Sequence, residues 1–190
     1  MRRVVYCVAM SLDGYIAGPK GEYDWIVPDP DIDFRAMWDR FDTFLMGRRT
    51  YELMRGQGGG MRGMNVLVFS RTLRPADHPK VKVVSDNMEG ILADLRKRPG
   101  KDIWLFGGGS LFRSLLELRQ VDVISVAVVP HLLGGGVPFL EPPARQARLK
   151  LTDSHVYPKT GTAMLEYAVD YAKAKPKAKA RRKRTTKARK

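Results

Sequence analysis

Four short stretches of this chain set glycine, hydroxyl and arginine residues directly after apolar runs. They are "GRRT" (47–50) after Met46, "SRT" (70–72) after Phe69, "GGGS" (107–110) after Phe106 and "PHLLGGG" (130–136) after Val129. Glycine is costly inside regular structure, so three in a row mark either a tight strand-to-helix turn or a ligand lying against bare main chain. Gly47 and the Gly107, Gly108, Gly109 run each stand at the mouth of an expected helix. There the free N–H groups and the positive helix end favour an anion. Thr50 adds a hydroxyl, and Arg48, Arg49 and Arg71 supply planar forks that suit phosphate better than a lysine would.

Together these residues point to a dinucleotide with an extra phosphate, hence NADPH over NADH. A ligand-free turn and solvated arginines explain the same residues, and at this stage both accounts stand. No G-x-G-x-x-G follows the first apolar strand and no P-loop lysine is present.

The elements that must position these loops alternate between two periods. Strands are expected at Val4–Met10, Phe44–Gly47, Asn65–Phe69, Val81–Val84, Asp102–Phe106 and Val121–Val129. Helices are expected from Asp31 through an apolar face of Ile32, Met37, Trp38 and Phe41, from "RRTYELM", over Asn87–Arg98 with Asn87 as cap, and over Ser110–Leu118. "SLDGYIAGPKGEYDW" and "PHLLGGGVPFLEPP" read as loops, and Ala147–Tyr157 with Gly161–Val169 as a hairpin across "PKTG". This alternation predicts an α/β domain with a mostly parallel sheet covered on both faces, closed by an antiparallel C-terminal hairpin. Ligands of such sheets bind beyond the carboxyl ends of the strands, where the four loops fall.

Composition bounds the rest. The 190 residues suit one domain, and 44% hydrophobic residues are enough for a core. No apolar run is long enough to span a membrane and no signal-like N-terminus is seen, so a soluble, cytoplasmic protein is expected. Cys7 lies in a strand and reads as a buried, inert thiol, and no Cys/His cluster has metal-ligand spacing, so no metal is expected. The net charge of +14 is uneven: residues 173–190 hold 11 of the 34 Lys and Arg and no acid, leaving a body with a net of +3. Without aromatic or large aliphatic residues that tail is expected to be disordered, with a domain boundary near 172. Its charge could engage nucleic acid non-specifically, or simply solvate the chain.

"VAMSLDGYIAG" (8–18), "DTFLMGRRTYE" (42–52), "VFSRTL" (68–73) and "IWLFGGGSLFRSLL" (103–116) occur in an order that resembles the dihydrofolate-reductase-like superfamily. The nearest branch is that of the reductase C-terminal domain of the bifunctional riboflavin-biosynthesis deaminase-reductase. The resemblance covers residues 3–170 and implies a three-layer α/β/α fold and an NADPH-dependent reductase, with homodimerisation through the closing strands and "VAVVPHLL". It implies that Ala9 meets the nicotinamide carboxamide through its backbone, while Ser11, Leu12 and Asp13 line the gap between cofactor and substrate. Gly47, Arg48, Arg49 and Thr50 would hold phosphates, and Ser70 and Arg71 the adenosine 2′-phosphate. Gly107, Gly108, Gly109 and Ser110 would pass the pyrophosphate over their N–H groups, with Leu111 and Phe112 beside it.

Asp33 sits near the register of the family's proton-assisting carboxylate, and Trp25, Trp38 and Tyr51 are candidates for an apolar wall over the substrate ring. The chain departs from the riboflavin-type substrate pattern at "TYELMRGQGGG". The expected reaction is hydride transfer to a small planar heterocycle of pteridine or pyrimidine type. Cofactor binding without turnover, and a body tethered to nucleic acid by the tail, are the alternatives.

Overall fold

The computed structural model describes residues 1–56 and 63–171. The glycine-rich stretch 57–62, the boundary near 172 and the basic tail lie outside the described residues.

An eight-stranded sheet organises the body. Its strands are β1 (Val4–Ser11), β3 (Phe41–Gly47), β4 (Asn65–Phe69), β5 (Lys82–Val84), β6 (Asp102–Gly107), β7 (Val123–Val129), β9 (Arg148–Tyr157) and β10 (Thr162–Asp170). They lie in the order β5-β4-β3-β6-β1-β7-β10-β9, and β2 (Tyr15–Ala17) pairs separately with β8 (Val137–Pro138). The first six strands are mutually parallel, and β10 runs antiparallel to both β7 and β9.

Side-chain alternation builds two cores from this one sheet. Val4, Tyr6, Leu45, Leu67, Ile103 and Leu105 point to one face, where α3 (Met88–Lys97) and α4 (Gly109–Glu117) supply Leu92, Leu95, Phe112 and Leu115. Val5, Phe44, Met46, Val66, Val68 and Trp104 point to the other, against Met37 and Trp38 of α1 (Phe34–Asp39) and Tyr51 of α2 (Arg48–Gly56). The result is the three-layer α/β/α arrangement with a mostly parallel sheet. Tyr6 and Phe112 stack at 4.0 Å between centroids across the first core, a contact of about 1 kcal/mol beyond burial.

Local caps fix two of the helix starts. Asn87 accepts from the Gly90 N–H and so caps α3, a bond of about 1 kcal/mol. The expected helix from Asp31 is shorter than its pattern: it begins only at Phe34, and Phe41 belongs to β3. Asp29, Asp31 and Asp33 explain the delay. Buried Asp29 accepts from the Asp31 N–H and from both the N–H and hydroxyl of Thr160, Asp31 pairs with Lys159 at 2.7 Å, and Asp33 caps the helix. The segment is held as a loop against the β9–β10 turn. The two expected loops around Tyr15 and Val137 pair with each other, as β2 and β8.

Candidate functional site

The six parallel strands end on one edge at Ser11, Gly47, Phe69, Val84, Gly107 and Val129. Adjacent strands β3 and β6 send their chains to opposite faces, because α2 packs its Tyr51 into one core and α4 its Phe112 into the other. A crevice opens where successive connections diverge in this way. The two glycine loops meet in it: a Cβ on Gly47 would lie 3.8 Å from the Gly107 carbonyl oxygen and 3.9 Å from the Gly108 nitrogen, and a Cβ on Gly108 would lie 3.6 Å from Thr50 Oγ1. "GRRT" and "GGGS", sixty residues apart, therefore form one wall.

The three consecutive glycines are bare for different reasons. Gly107 has φ +133°, a conformation that L side chains rarely adopt. Gly109 is fixed by packing: a Cβ there would sit 2.6 Å from the Pro138 carbonyl oxygen. Only Gly108, the side-chain-free N-cap of α4, stands in ordinary contact distance of its neighbours. Of the two accounts of the glycine run, the turn therefore explains Gly107 and Gly109, whose form the fold itself demands, and Gly108 is left open to a ligand.

Behind them, Leu111 and Phe112 are core residues, and the Phe112 N–H already donates to the Gly108 carbonyl. Phe112 therefore has neither side chain nor N–H left to offer a ligand. Ser110 is exposed at the helix mouth, where its hydroxyl donates to the Glu141 carboxylate. Glu141 was not singled out in the sequence, and its place depends on the β8 segment folding back over α4.

The cations of this edge divide. Arg48 is held along α2 by Glu52, 3.0 Å away. Arg49 and Arg71 are exposed and have no hydrogen-bond or ion-pair partner among the described residues. Arg71 and Ser70 line a pocket of ≈ 250 Å³ beyond β4 and β5, together with Ser85, Asp86 and Asn87. The Ser70 hydroxyl accepts from the N–H groups of Thr72 and Leu73, which fixes the loop that carries Arg71.

Beyond β1 the arrangement is more closed than the sequence implies. Ser11 is fully buried; its hydroxyl donates to Asp13 at 2.6 Å and accepts from the Tyr15 N–H at 3.0 Å. Asp13 also accepts from the N–H groups of Leu133 and Gly134. The Ser11 hydroxyl holds the Asp13 carboxyl down at about 2; desolvation opposes it, and the N–H groups of Leu133 and Gly134 add smaller downward pulls. Both side chains are therefore spent on joining the β1–β2 and β7–β8 loops, and the exposed apolar side chain there is Leu12. Trp25 is buried and stacks on the His131 ring, and the His131 carbonyl accepts from the Leu12 N–H. Leu12, Trp25 and His131 thus form one patch. His131 had read as an ordinary loop residue, and only the fold brings it to Trp25.

Two other expectations change. Tyr51 is a core residue bonded to His78 and Trp38 is half-buried, packed edge-on to Trp104 against that core, so both are taken up by the fold rather than by a wall over a substrate ring. Asp33 is exposed and spends one oxygen on the Ala36 N–H at 2.8 Å. In "VAVVPHLL" Val126 and Val129 are buried while Pro130, His131 and Leu132 are exposed, and Leu149, Leu151 and Val156 of β9 are further exposed apolar side chains. Ala9 lies in mid-register opposite Ala127, near the end of β1. The Cys7 thiol is pushed up to about 11 by burial, in keeping with an inert role. No helix of the described residues is long and apolar enough to cross a membrane.

Comparison with known proteins supplies a frame for this edge. The profile of the RibD C-terminal domain matches residues 2–162. The uncharacterized protein YyaP of Bacillus subtilis is 32% identical over 180 residues, spanning 87% of this chain and 94% of its own. A Shewanella sp. PV-4 protein assigned to riboflavin biosynthesis superposes with a TM-score of 0.77 at 28% identity, over 90% of this chain and 99% of that one. Two more distant structures share the fold. The Thermotoga maritima deaminase and 5-amino-6-(5-phosphoribosylamino)uracil reductase has a TM-score of 0.67 at 19% identity, over 89% of this chain and 57% of that one. Dihydrofolate reductase from Enterococcus faecalis, complexed with NADP(H), has a TM-score of 0.62 at 20% identity, over 88% of this chain and 96% of that one.

Proposed function

The chain belongs to the RibD C-terminal domain family, and from that premise we propose that it is an NADPH-dependent reductase delivering hydride to a small planar heterocycle of pteridine or pyrimidine type. The observation that carries this reading is the joined wall of Gly47, Thr50 and Gly108 at the mouths of two diverging helices, with the unpaired Arg71 in the pocket beyond it. Gly47 and Gly108 give a pyrophosphate room to approach main chain, while the N-termini of α2 and α4 offer donors and a favourable field. Arg49 is free to neutralise it, and Arg71 with Ser70 suits a 2′-phosphate.

The bound cofactor supplies the hydride. This chain's residues align the two rings and exclude water, for which contact at about 3–3.5 Å is required. Leu12 and Trp25 border the substrate side. Asp33 is a helix cap by geometry, so the proton is assigned to solvent. Asp33→Asn retains a good cap while removing the acid, and turnover close to wild type is expected.

One observation favours a second reading. Asp86 lines the same pocket as Arg71, and a carboxylate there suits a free ribose hydroxyl, hence NADH. Parallel fluorescence titrations of NADPH and NADH into the full chain separate the two. Saturable binding with at least about tenfold preference for NADPH, a difference of about 1.4 kcal/mol, supports the proposal. Preference for NADH transfers the assignment to Asp86, and binding of neither leaves the glycines to the fold alone. Given binding, oxidation of NADPH by a panel of pterins and pyrimidines tests turnover.

A further inference from the structure

Hydride transfer to a heterocycle is completed by a proton, and the acids on the substrate side do not supply one. Asp13 is bonded to Ser11 and to two N–H groups, and its carboxyl, held at about 2, is ionised at neutral pH. Buried Asp29 accepts from Asp31 and Thr160, Asp31 pairs with Lys159, and Asp33 caps α1. Glu22 accepts from the Lys20 N–H, and Asp24 stands exposed next to Trp25 in the chain. An ionised carboxylate accepts hydrogen bonds and donates none.

His131 is placed differently. Ser11 and Val129 are register partners, so the loop after β7 lies beside the β1 loop that carries Leu12. The His131 main chain is fixed on both sides: its N–H donates to the Val129 carbonyl at 2.8 Å, and its carbonyl accepts from the Leu12 N–H at 2.9 Å. Its ring lies over that of Trp25, 5.9 Å between centroids and 26° between planes. Trp25 is itself buried and donates its Nε1 proton to the Glu22 carbonyl, so the imidazole rests on a fixed support. The residue is nevertheless exposed, and neither ring nitrogen has a hydrogen-bond or ion-pair partner among the described residues. The other two histidines are taken up elsewhere, His78 by Tyr51 and His155 by Tyr157 on β9. An anchored main chain, one supported ring face and two open nitrogens suit a side chain held for a ligand.

We propose that His131 contacts the heterocyclic substrate and hands it the proton drawn from solvent, a role that rests on the reductase reading above. At a C=N bond of the ring the carbon receives hydride with its electron pair from NADPH, which leaves as NADP+, and the nitrogen receives the proton of the His131 imidazolium. The neutral imidazole then regains a proton from water. Histidine suits this exchange because its ordinary titration range, about pH 5 to 8, brackets neutrality. The charged groups on the two segments against the ring are Asp13 on the β1 loop and Lys20, Glu22 and Asp24 on the Trp25 loop, and none of them is bonded to the imidazole.

The first test needs no cofactor. Histidine Cε1–H NMR signals of the full chain, assigned with His131→Gln, are followed as pterin and, separately, cytosine are added. With at least one of them the His131 signal should shift to saturation and its titration midpoint rise by about half a pH unit, since a bond from the imidazolium to a ring nitrogen favours the charged form. The second test is kinetic, on the pterin or pyrimidine that turns over fastest. His131→Gln should lower kcat about a hundredfold, the low end for a general acid because water reaches an open site, with KM within about threefold. Wild-type kcat should fall as pH rises through the histidine range, whereas the variant should be flat there and His155→Gln should keep the wild-type profile. The urea midpoint of His131→Gln should stay close to wild type, because the side chain is exposed. The proposal is overturned if both heterocycles leave the His131 signal in place, or if His131→Gln turns over with the wild-type pH profile. NADPH binding with an unmoved His131 signal removes only the role of His131, whereas a shifted signal in a chain that binds no NADPH keeps the contact and removes the reductase reading.

Discussion

The two edges of the parallel sheet handle charge in opposite ways. At the base of the amino edge, Arg2, Arg3 and Arg96 are each matched by an aspartate, Asp42, Asp102 and Asp122, and tie strand starts and turns together. At the carboxyl edge Arg49 and Arg71 stand without hydrogen-bond or ion-pair partners among the described residues, beside glycines and a pocket. Paired charge at the base of a fold is a structural device, since removing one partner strands the other. Charge left open beside bare main chain is available for a ligand.

The sharpest way to break this contrast is at Arg2. Arg2→Met leaves Asp42 without its cation, and a loss of about 3 kcal/mol is expected in urea unfolding, the low end for buried pairs because Asp42 is partly exposed. NADPH affinity should be unaltered. Next comes Arg71→Ala, which should weaken NADPH about tenfold or more, the worth of a charge-assisted hydrogen bond, while NADH affinity and the urea midpoint stay as they are. If Arg71→Ala lowers stability, or Arg2→Met lowers affinity, the division between edges is wrong.

A smaller effect sharpens the carboxyl edge. Glu141 places a negative charge on the Ser110 hydroxyl at the mouth of α4, where a pyrophosphate would lie. Glu141→Gln should tighten NADPH by about two- to fivefold, the range of one charge at a helix terminus. Weaker binding would instead make Glu141 a contact to the ligand.

The smallest effect is one of pH. Asp13 is depressed to about 2 in the folded chain, from an ordinary carboxylate value near 3.8. Its contribution is therefore complete above about pH 4 and lost as pH falls toward 2. Asp13→Asn should flatten that acid limb in thermal unfolding and leave the neutral-pH slope unchanged.

Much of the fold was legible in the sequence. β4 at Asn65–Phe69, the Asn87 cap and the start of β6 at Asp102 follow from a short continuous apolar run, a side chain with local hydrogen-bonding power, and turn residues. The α1 boundary was not, because the Asp29 and Asp31 partners, Thr160 and Lys159, lie some 130 residues away in the chain. The site was legible in its glycines and arginines, since those types have few roles after a strand. Which arginine is spent on Glu52, and which glycine is bare because of the Pro138 carbonyl, are facts of packing.

The sequence by itself determined the period of each element, the types of residue in the crevice loops and the concentration of positive charge beyond residue 172. These are local properties, set by side-chain chemistry over a few positions. Only the tertiary structure decided that β6 slots between β3 and β1, bringing Gly47 against Gly107, and that β10 ends beside Arg96. Strand order and direction depend on contacts between segments distant in sequence, and no local pattern encodes them.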